Sequence, residues 1–218
     1  HGTQDPIIND GRIVYEVTLA AQDGIILLRP IEEIIDATYL NGAFARIFDL
    51  NGDTKRTGFF AYESAYKGGT QVIAFDTDGD GLREAVVADD TYVYIFDDDG
   101  SLHSQFAPYT ETYDQGINIS VGDLEDDGTV EIVTGTENGG GPHIRVFDED
   151  GNLINPGFFA YADSFRGGVN VSIGDLNNDG IKEIITGAGY NGGPHVRVFR
   201  KDGTLINPGF FAYDEGFR

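Results

Sequence analysis

An all-β protein built of repeated four-stranded antiparallel units is predicted by three observations. A short acidic loop of one pattern, Asp-x-(Asp/Glu/Asn)-x-Asp-Gly-x-x-Glu, recurs at 76–84, 123–131 and 175–183, its first residues 47 and 52 apart. The text around it repeats as well: Gly-Gly-Val-Asn-Val-Ser-Ile-Gly-Asp at 167–175 matches Gly-Ile-Asn-Ile-Ser-Val-Gly-Asp at 116–123. Between the loops no stretch has helical period, while short apolar runs alternate with Asn/Asp-Gly turn signals. Self-similarity at this period points to propeller blades or another array.

Residues 1–16 form a lead-in, in which Arg12-Ile13-Val14-Tyr15-Glu16-Val17 alternates like a strand. A first unit at about 17–67 is recovered from Tyr39, Asn41-Gly42, Arg46-Ile47-Phe48, Asn51-Gly52 and Gly58-Phe59-Phe60-Ala61-Tyr62, which match 188–213 at an offset of 151. Its Ile31-Glu32-Glu33-Ile34-Ile35 is like Lys182-Glu183-Ile184-Ile185 without the Asp-x-Asp part, so this unit is degenerate and expected to be metal-free. Three further units follow at about 68–115, 116–166 and 167–218, giving about four blades in the chain. Within a unit the acidic loop leads into a run such as Glu183-Ile184-Ile185-Thr186-Gly187. Gly-Gly-Pro-His at 140–143 and 192–195 then opens a second run, and Asp150-Gly151 or Asp202-Gly203 marks a hairpin turn. The unit ends in Asn-Pro-Gly-Phe-Phe-Ala-Tyr at 155–161 and 207–213.

The acidic loops have the composition of calcium sites. Side chains at positions 1, 3 and 5 are Asp76, Asp78 and Asp80; Asp123, Glu125 and Asp127; Asp175, Asn177 and Asp179. They can converge on one hard cation only if the chain turns sharply, which the Gly at position 6 permits. The carbonyl at position 7 (Leu82, Thr129, Ile181) and the Glu at position 9 (Glu84, Glu131, Glu183) would complete an all-oxygen shell, so about three Ca2+ are expected. A helical EF-hand begins in the same way but needs its closing Glu at position 12, where this chain has Val87, Thr134 and Thr186. A solvated acidic turn would explain one copy but not three with the same Gly and Glu. The second loop departs at position 3, where the longer arm of Glu125 crowds the metal.

The 218 residues carry 37 acidic against 14 basic side chains, a net charge of −23, which argues against a nucleic-acid partner. Grouped carboxylates repel one another without metal, so the metal-free chain is expected to be less stable. With no Cys there is neither a disulfide nor a thiolate metal site. Loops of modest affinity fill where free calcium is millimolar, so a secreted or cell-surface location is expected. No stretch is apolar enough to span a bilayer, no signal peptide is visible, and the chain lacks Met even at position 1, as in a processed form or a fragment.

Other features are assigned to scaffold. Gly187-Ala-Gly-Tyr-Asn-Gly-Gly mimics a dinucleotide loop, but Pro194 and a β-type run follow it where a helix is required. His143 and His195 hold equivalent repeat positions, hence different blades, which makes scaffold roles the expectation. The acidic turns at 97–100 and 148–151 are read as hairpins rather than further calcium sites, because 49–52 and 200–203 lose most of the charge. The sequons at Asn118 and Asn170 fall on a predicted innermost strand with no room for a glycan. The Phe-Phe-Ala-Tyr segments, with Phe165 and Phe217, are expected to pack between blades, a carbohydrate platform being the alternative.

The Phe-Arg-Gly-Gly-Val junction at 165–169, the Gly-Asp-Leu-Asn-Asn-Asp-Gly loop at 174–180 and the Gly-Gly-Pro-His-Val-Arg-Val-Phe strand at 192–199 resemble the FG-GAP/VCBS repeats of integrin-α-type β-propellers, especially bacterial secreted ones. The resemblance covers about 17–218 and is strongest over 116–218. It implies a β-propeller of four-stranded blades, with the calcium loop joining the innermost strand to the second. It also implies Asp175, Asn177, Asp179 and Glu183 as side-chain ligands and Ile181 as a carbonyl ligand, the other loops following the same positions. The chain departs from the family in having Glu at position 9, where Asp is frequent, and four blades where seven usually close the ring. The expected function is an extracellular calcium-stabilised interaction module for adhesion or assembly, without catalysis. The alternatives are a carbohydrate-binding propeller or a non-catalytic part of a larger secreted enzyme. Expected partners are a protein or glycan at the cell surface, or further copies of the chain joined through open blade edges, with the 12–19 strand available for addition.

Overall fold

The computed structural model describes residues 71–214 and, within 1–70, the backbone of six strands. Strands β1 (Ile7–Asn9) and β2 (Arg12–Val14) pair as an antiparallel ribbon. The lead-in expected from 12–17 is therefore a short hairpin, with a partner strand that the sequence did not single out. Four four-stranded sheets follow, each with antiparallel neighbours in chain order. The first holds β3 (Gly24–Leu27), β4 (Ile34–Ala37), β5 (Phe44–Phe48) and β6 (Thr54–Phe60). The second holds β7 (Val72–Phe75), β8 (Glu84–Ala88), β9 (Val93–Phe96) and β10 (Leu102–Phe106). The third holds β11 (Ile117–Gly122), β12 (Glu131–Thr136), β13 (His143–Phe147) and β14 (Leu153–Phe159). The fourth holds β15 (Val169–Gly174), β16 (Glu183–Ala188), β17 (His195–Phe199) and β18 (Leu205–Phe211). The class is all-β, with no helix among the described residues. The β3–β4 connection, where a metal-free loop is expected, lies outside the described residues, as do the side chains of 59–62 and 217.

The repeats share one register. Ile132 opposes Phe147 in the third sheet and Ile184 opposes Phe199 in the fourth. Both last pairings shift at the same place, between Ile144 and Phe147 and between Val196 and Phe199. The cause lies in Asn-Pro-Gly: proline has no N–H for the ladder, and Gly157 (φ 116°) and Gly209 (φ 117°) adopt a backbone closed to other residues. Each of these glycines donates its N–H to the Asn side chain two residues before it, Asn155 or Asn207, at 2.9 Å. The acidic turns at 97–100 and 148–151 are hairpins, closed by Gly100 N–H to Asp97 O at 2.8 Å and Gly151 N–H to Asp148 O at 3.1 Å.

The core lies between sheets. Val86, Val93 and Ile95 of the second sheet pack against Ile117, Ile119 and Ile132 of the third. Leu124, Val133, Ile144 and Val146 of the third pack with Val169, Ile184 and Phe199 of the fourth. Strands β8 and β12 are buried at every position, their polar residues Glu84, Glu131, Thr134 and Thr136 included. The third sheet thus hides its faces by stacking on the second and the fourth. The fourth has no sheet beyond it among the described residues, and Leu176 is 59% exposed where its counterpart Leu124 is fully buried.

Aromatic residues in or just after the last strands of the second and third sheets latch onto the next sheet, as expected of the Phe-Phe-Ala-Tyr segments. Phe106 lies 4.7 Å from Phe147 and Phe158 4.8 Å from Phe199, centroid to centroid. Tyr109 donates its hydroxyl to His143 O at 2.8 Å, and Tyr161 donates to His195 O at 2.7 Å. Burial pushes the Tyr109 phenol well above its ordinary ionisation range. Replacing Tyr109 by Phe leaves the His143 carbonyl without this donor, and urea denaturation is expected to show a loss of about 1–3 kcal/mol. A loss below the error of the measurement would show that the latch contributes nothing.

Candidate metal centre

Each acidic loop joins the first strand of a sheet to the second, and local chemistry folds it. Position 4 is left-handed in all three loops: Gly79 (φ 78°), Asp126 (φ 55°) and Asn178 (φ 63°). Only Gly, Asn and Asp enter that region readily, so the position-4 residues carry a signal that the sequence pattern had left as x. The Asp at position 1 accepts the N–H of the position-6 Gly: Asp76 from Gly81 at 3.1 Å, Asp123 from Gly128 at 2.8 Å, Asp175 from Gly180 at 3.0 Å. The Asp at position 5 accepts the N–H of position 7: Asp80 from Leu82 at 2.7 Å, Asp127 from Thr129 at 2.8 Å, Asp179 from Ile181 at 2.9 Å. The buried Glu at position 9 reaches back to the N–H of position 2. Glu84 accepts from Thr77 at 2.6 Å, Glu131 from Leu124 at 2.8 Å and Glu183 from Leu176 at 3.0 Å.

In the first loop one carboxylate oxygen from each of Asp76, Asp78 and Glu84 lies within 4.8 Å of the other two. Burial, reinforced by the charge of Asp78, raises the Glu84 carboxyl above its ordinary range although Thr77 donates to it. Close, like-charged oxygens of this kind fit a calcium ion, which would be held by Asp76, Asp78 and Glu84. Asp80 stands beside them, bonded to the Leu82 N–H.

The third loop has the same frame with an amide at position 3. The Asn177 side chain donates to Asp179 at 3.0 Å and to Glu183 at 3.3 Å, and it accepts from the Asp179 N–H at 2.9 Å. The N–H of Gly180, then those of Asn178 and Asp179, hold the Asp175 carboxyl below its ordinary range. Among the described residues only the first loop gathers three carboxylate oxygens within 4.8 Å, and Asp175, Asp179 and Glu183 form no such group.

The second loop is built differently. Glu125 does not turn toward Asp123; it meets Lys201 Nζ at 2.9 Å, and the same ammonium lies 2.6 Å from Glu131. Lys182 donates its Nζ to the Asp123 carbonyl at 2.7 Å. For Asp123, burial opposes ionisation, yet the N–H donors of Gly128, Asp127 and Asp126, with Lys182, hold it below its ordinary range.

The remaining candidates separate. His143 stacks on Phe159 at 4.9 Å and His195 on Phe211 at 4.9 Å, in different sheets. Burial, with Arg145 nearby, lowers His143 below the ordinary imidazole range. Asn118 is half-buried and donates to Val169 O at 3.0 Å, as expected of a strand without room for a glycan. Asn170 departs from that expectation, because no further sheet covers β15 among the described residues and its side chain is exposed. An open cleft of about 380 Å3 that the sequence did not suggest lies beside His143, lined by Tyr109, Tyr113, Phe159, Asp163 and Arg166 among others.

No protein-family model matches the chain, and no curated protein matches it. Among solved structures it is similar to the V. cholerae biofilm matrix protein Bap1, with TM-score 0.41 and 18% identity over 79% of this chain and 34% of that one. It is also similar to an Agrocybe aegerita lectin that recognises non-reducing terminal N-acetylglucosamine, with TM-score 0.45 and 14% identity over 79% of this chain and 47% of that one. BBS1N, solved in complex with ARL6DN, gives TM-score 0.44 and 13% identity over 80% of this chain and 48% of that one. The chain spans between about a third and a half of the length of these proteins. At such scores the likeness assigns neither a family nor a function.

Proposed function

We propose that this chain is a calcium-stabilised β-propeller module of the FG-GAP/VCBS kind, acting outside the cell in adhesion or in building an extracellular assembly, without catalysis. The observation that carries the reading is the loop frame repeated in three consecutive sheets, with three carboxylate oxygens gathered within 4.8 Å in the first copy. The stacking of each four-stranded sheet on the preceding one supports blades around a shared axis. Open loops of modest calcium affinity support work where the ion is millimolar. Among the described residues no helix is long and apolar enough to cross a membrane. Exposed apolar side chains on the fourth sheet, Leu176, Phe210 and Tyr213, support a partner surface there, whether on another protein or another copy.

Sedimentation of one sample with calcium and with EGTA tests this reading. Calcium uptake and a larger calcium-loaded assembly are expected. A monomer at every concentration removes self-assembly and leaves the module, whereas no calcium uptake removes the module reading itself. Carbohydrate binding is the second reading, favoured by the cleft beside His143, where Phe159 is 52% exposed near Asp163 and Arg166. Binding on a glycan array that Phe159→Ala abolishes would select it, and a blank array would discard it.

A further inference from the structure

The loops differ in what the next sheet lays over them. The β13–β14 turn of the third sheet sits against β10 of the second, where Ser104 donates to Glu149 O at 2.8 Å. The β17–β18 turn of the fourth sheet sits in the same way against β14 of the third, where Asn155 donates to Lys201 O at 2.8 Å. Glu149 and Lys201 are therefore equivalent residues of the two turns, and Lys201 meets the second loop. Burial, with the charges of Asp150, Asp148 and, last, Asp78 of the first loop, raises the Glu149 carboxyl above its ordinary range. Position 8 repeats the contrast. Val130 is packed in the core between the second and third sheets, while its counterpart Lys182 donates its ammonium to the backbone of the second loop. The second loop thus receives two ammonium groups from the sheet that follows.

Lys201 bridges the residues at positions 3 and 9 of the second loop, Glu125 at 2.9 Å and Glu131 at 2.6 Å. Glu131 is fully buried, and its other oxygen is taken by the Leu124 N–H at 2.8 Å. A buried carboxylate needs a counter-charge, and the ammonium supplies it from the space where a divalent ion would have to meet both residues. We propose that Lys201 is the built-in cation of the second loop, so that calcium occupies the first and third loops and not the second. The proposal rests on the calcium reading of those two loops. Its consequence is an array with unequal joints: the contact between the third and fourth sheets stays neutralised when calcium is withdrawn, while the first loop loses its ion.

Calcium per chain, measured by elemental analysis after dialysis against millimolar calcium, tests this directly. Lys201→Glu installs the residue type of the equivalent turn position, Glu149, and Lys201→Met removes the ammonium at similar length. Each variant, checked for a cooperative melt in calcium, is expected to hold one more ion per chain than the unaltered protein. The reciprocal Glu149→Lys is expected to hold one fewer, and it decides the matter should the Lys201 variants fail to fold. Equal, non-zero counts overturn the lysine proposal and leave the calcium reading standing. Zero calcium in every sample overturns the calcium reading and the proposal with it.

Discussion

Chelation with EGTA lowers the melting temperature of the protein by about 5–10 °C for each loop that holds calcium. An ion that binds the folded chain and not the unfolded one adds about 2.7 kcal/mol when its concentration exceeds Kd a hundredfold. For a chain of this size each kcal/mol moves the midpoint by about 2–4 °C. The first loop is the clearest source, since Asp76, Asp78 and Glu84 bring their oxygens within 4.8 Å and Glu84 is 5% exposed. Without the ion these charges repel at short range in a partly dry setting, which the N–H donors of Thr77, Gly79 and Gly81 offset only in part. Asp78→Ala takes one ligand from that group and is expected to remove one calcium and a comparable part of the shift. Sodium chloride at matched ionic strength is expected not to restore the melt. Magnesium is expected to restore it poorly, because it demands a small octahedral shell that this loop does not offer. A melting temperature indifferent to EGTA would remove the calcium reading of all three loops.

Leu124→Ala is expected to cost about 2–5 kcal/mol, while Leu176→Ala stays within about 0.5 kcal/mol. Both leucines hold position 2 of an acidic loop and donate their N–H to the Glu at position 9. They differ in what covers them: Leu124 is fully buried in the cluster between the third and fourth sheets, and Leu176 is 59% exposed. Truncating Leu124 leaves a cavity among Val133, Ile144 and Val169, whose strands are held too firmly to collapse into it. In urea, with a slope of about 1–3 kcal/mol per M, the first variant moves the midpoint by about 1 M or more and the second leaves it in place. Equal, large losses would mean that the face carrying Leu176 is covered in solution, in which case the Leu176 loss falls on dilution if a second copy is the cover.

The acidic loops, the hairpin turns and the division into four-stranded units were all legible from text, because each is settled over a few residues. A Gly at position 6, an Asp that accepts N–H groups within five residues of itself, and Asn-Gly or Asp-Gly turns act locally and repeat in phase. The position-4 residues Gly79, Asp126 and Asn178 were legible in principle and went unused. The aromatic latch was legible as packing between units, although not as the hydroxyl bonds of Tyr109 and Tyr161 to His143 and His195. The reading of Asn170 as enclosed failed for a reason outside its own strand, the absence of a further sheet over β15 among the described residues. The bridge from Lys201 to Glu131 spans 70 positions of sequence. Arg200-Lys201-Asp202-Gly203 reads as a hairpin turn that has lost its acidic charge, and nothing in it names the loop it will meet.

Sequence by itself determined the all-β class, the repeat length and the nine-residue loops, since turn chemistry and strand periodicity depend on neighbours along the chain. Tertiary structure alone decided which leucine is core and which is surface, and which acidic loop receives an ammonium. Those outcomes depend on how one sheet lies on the next, and contacts between sheets join residues whose separation in sequence carries no local signal.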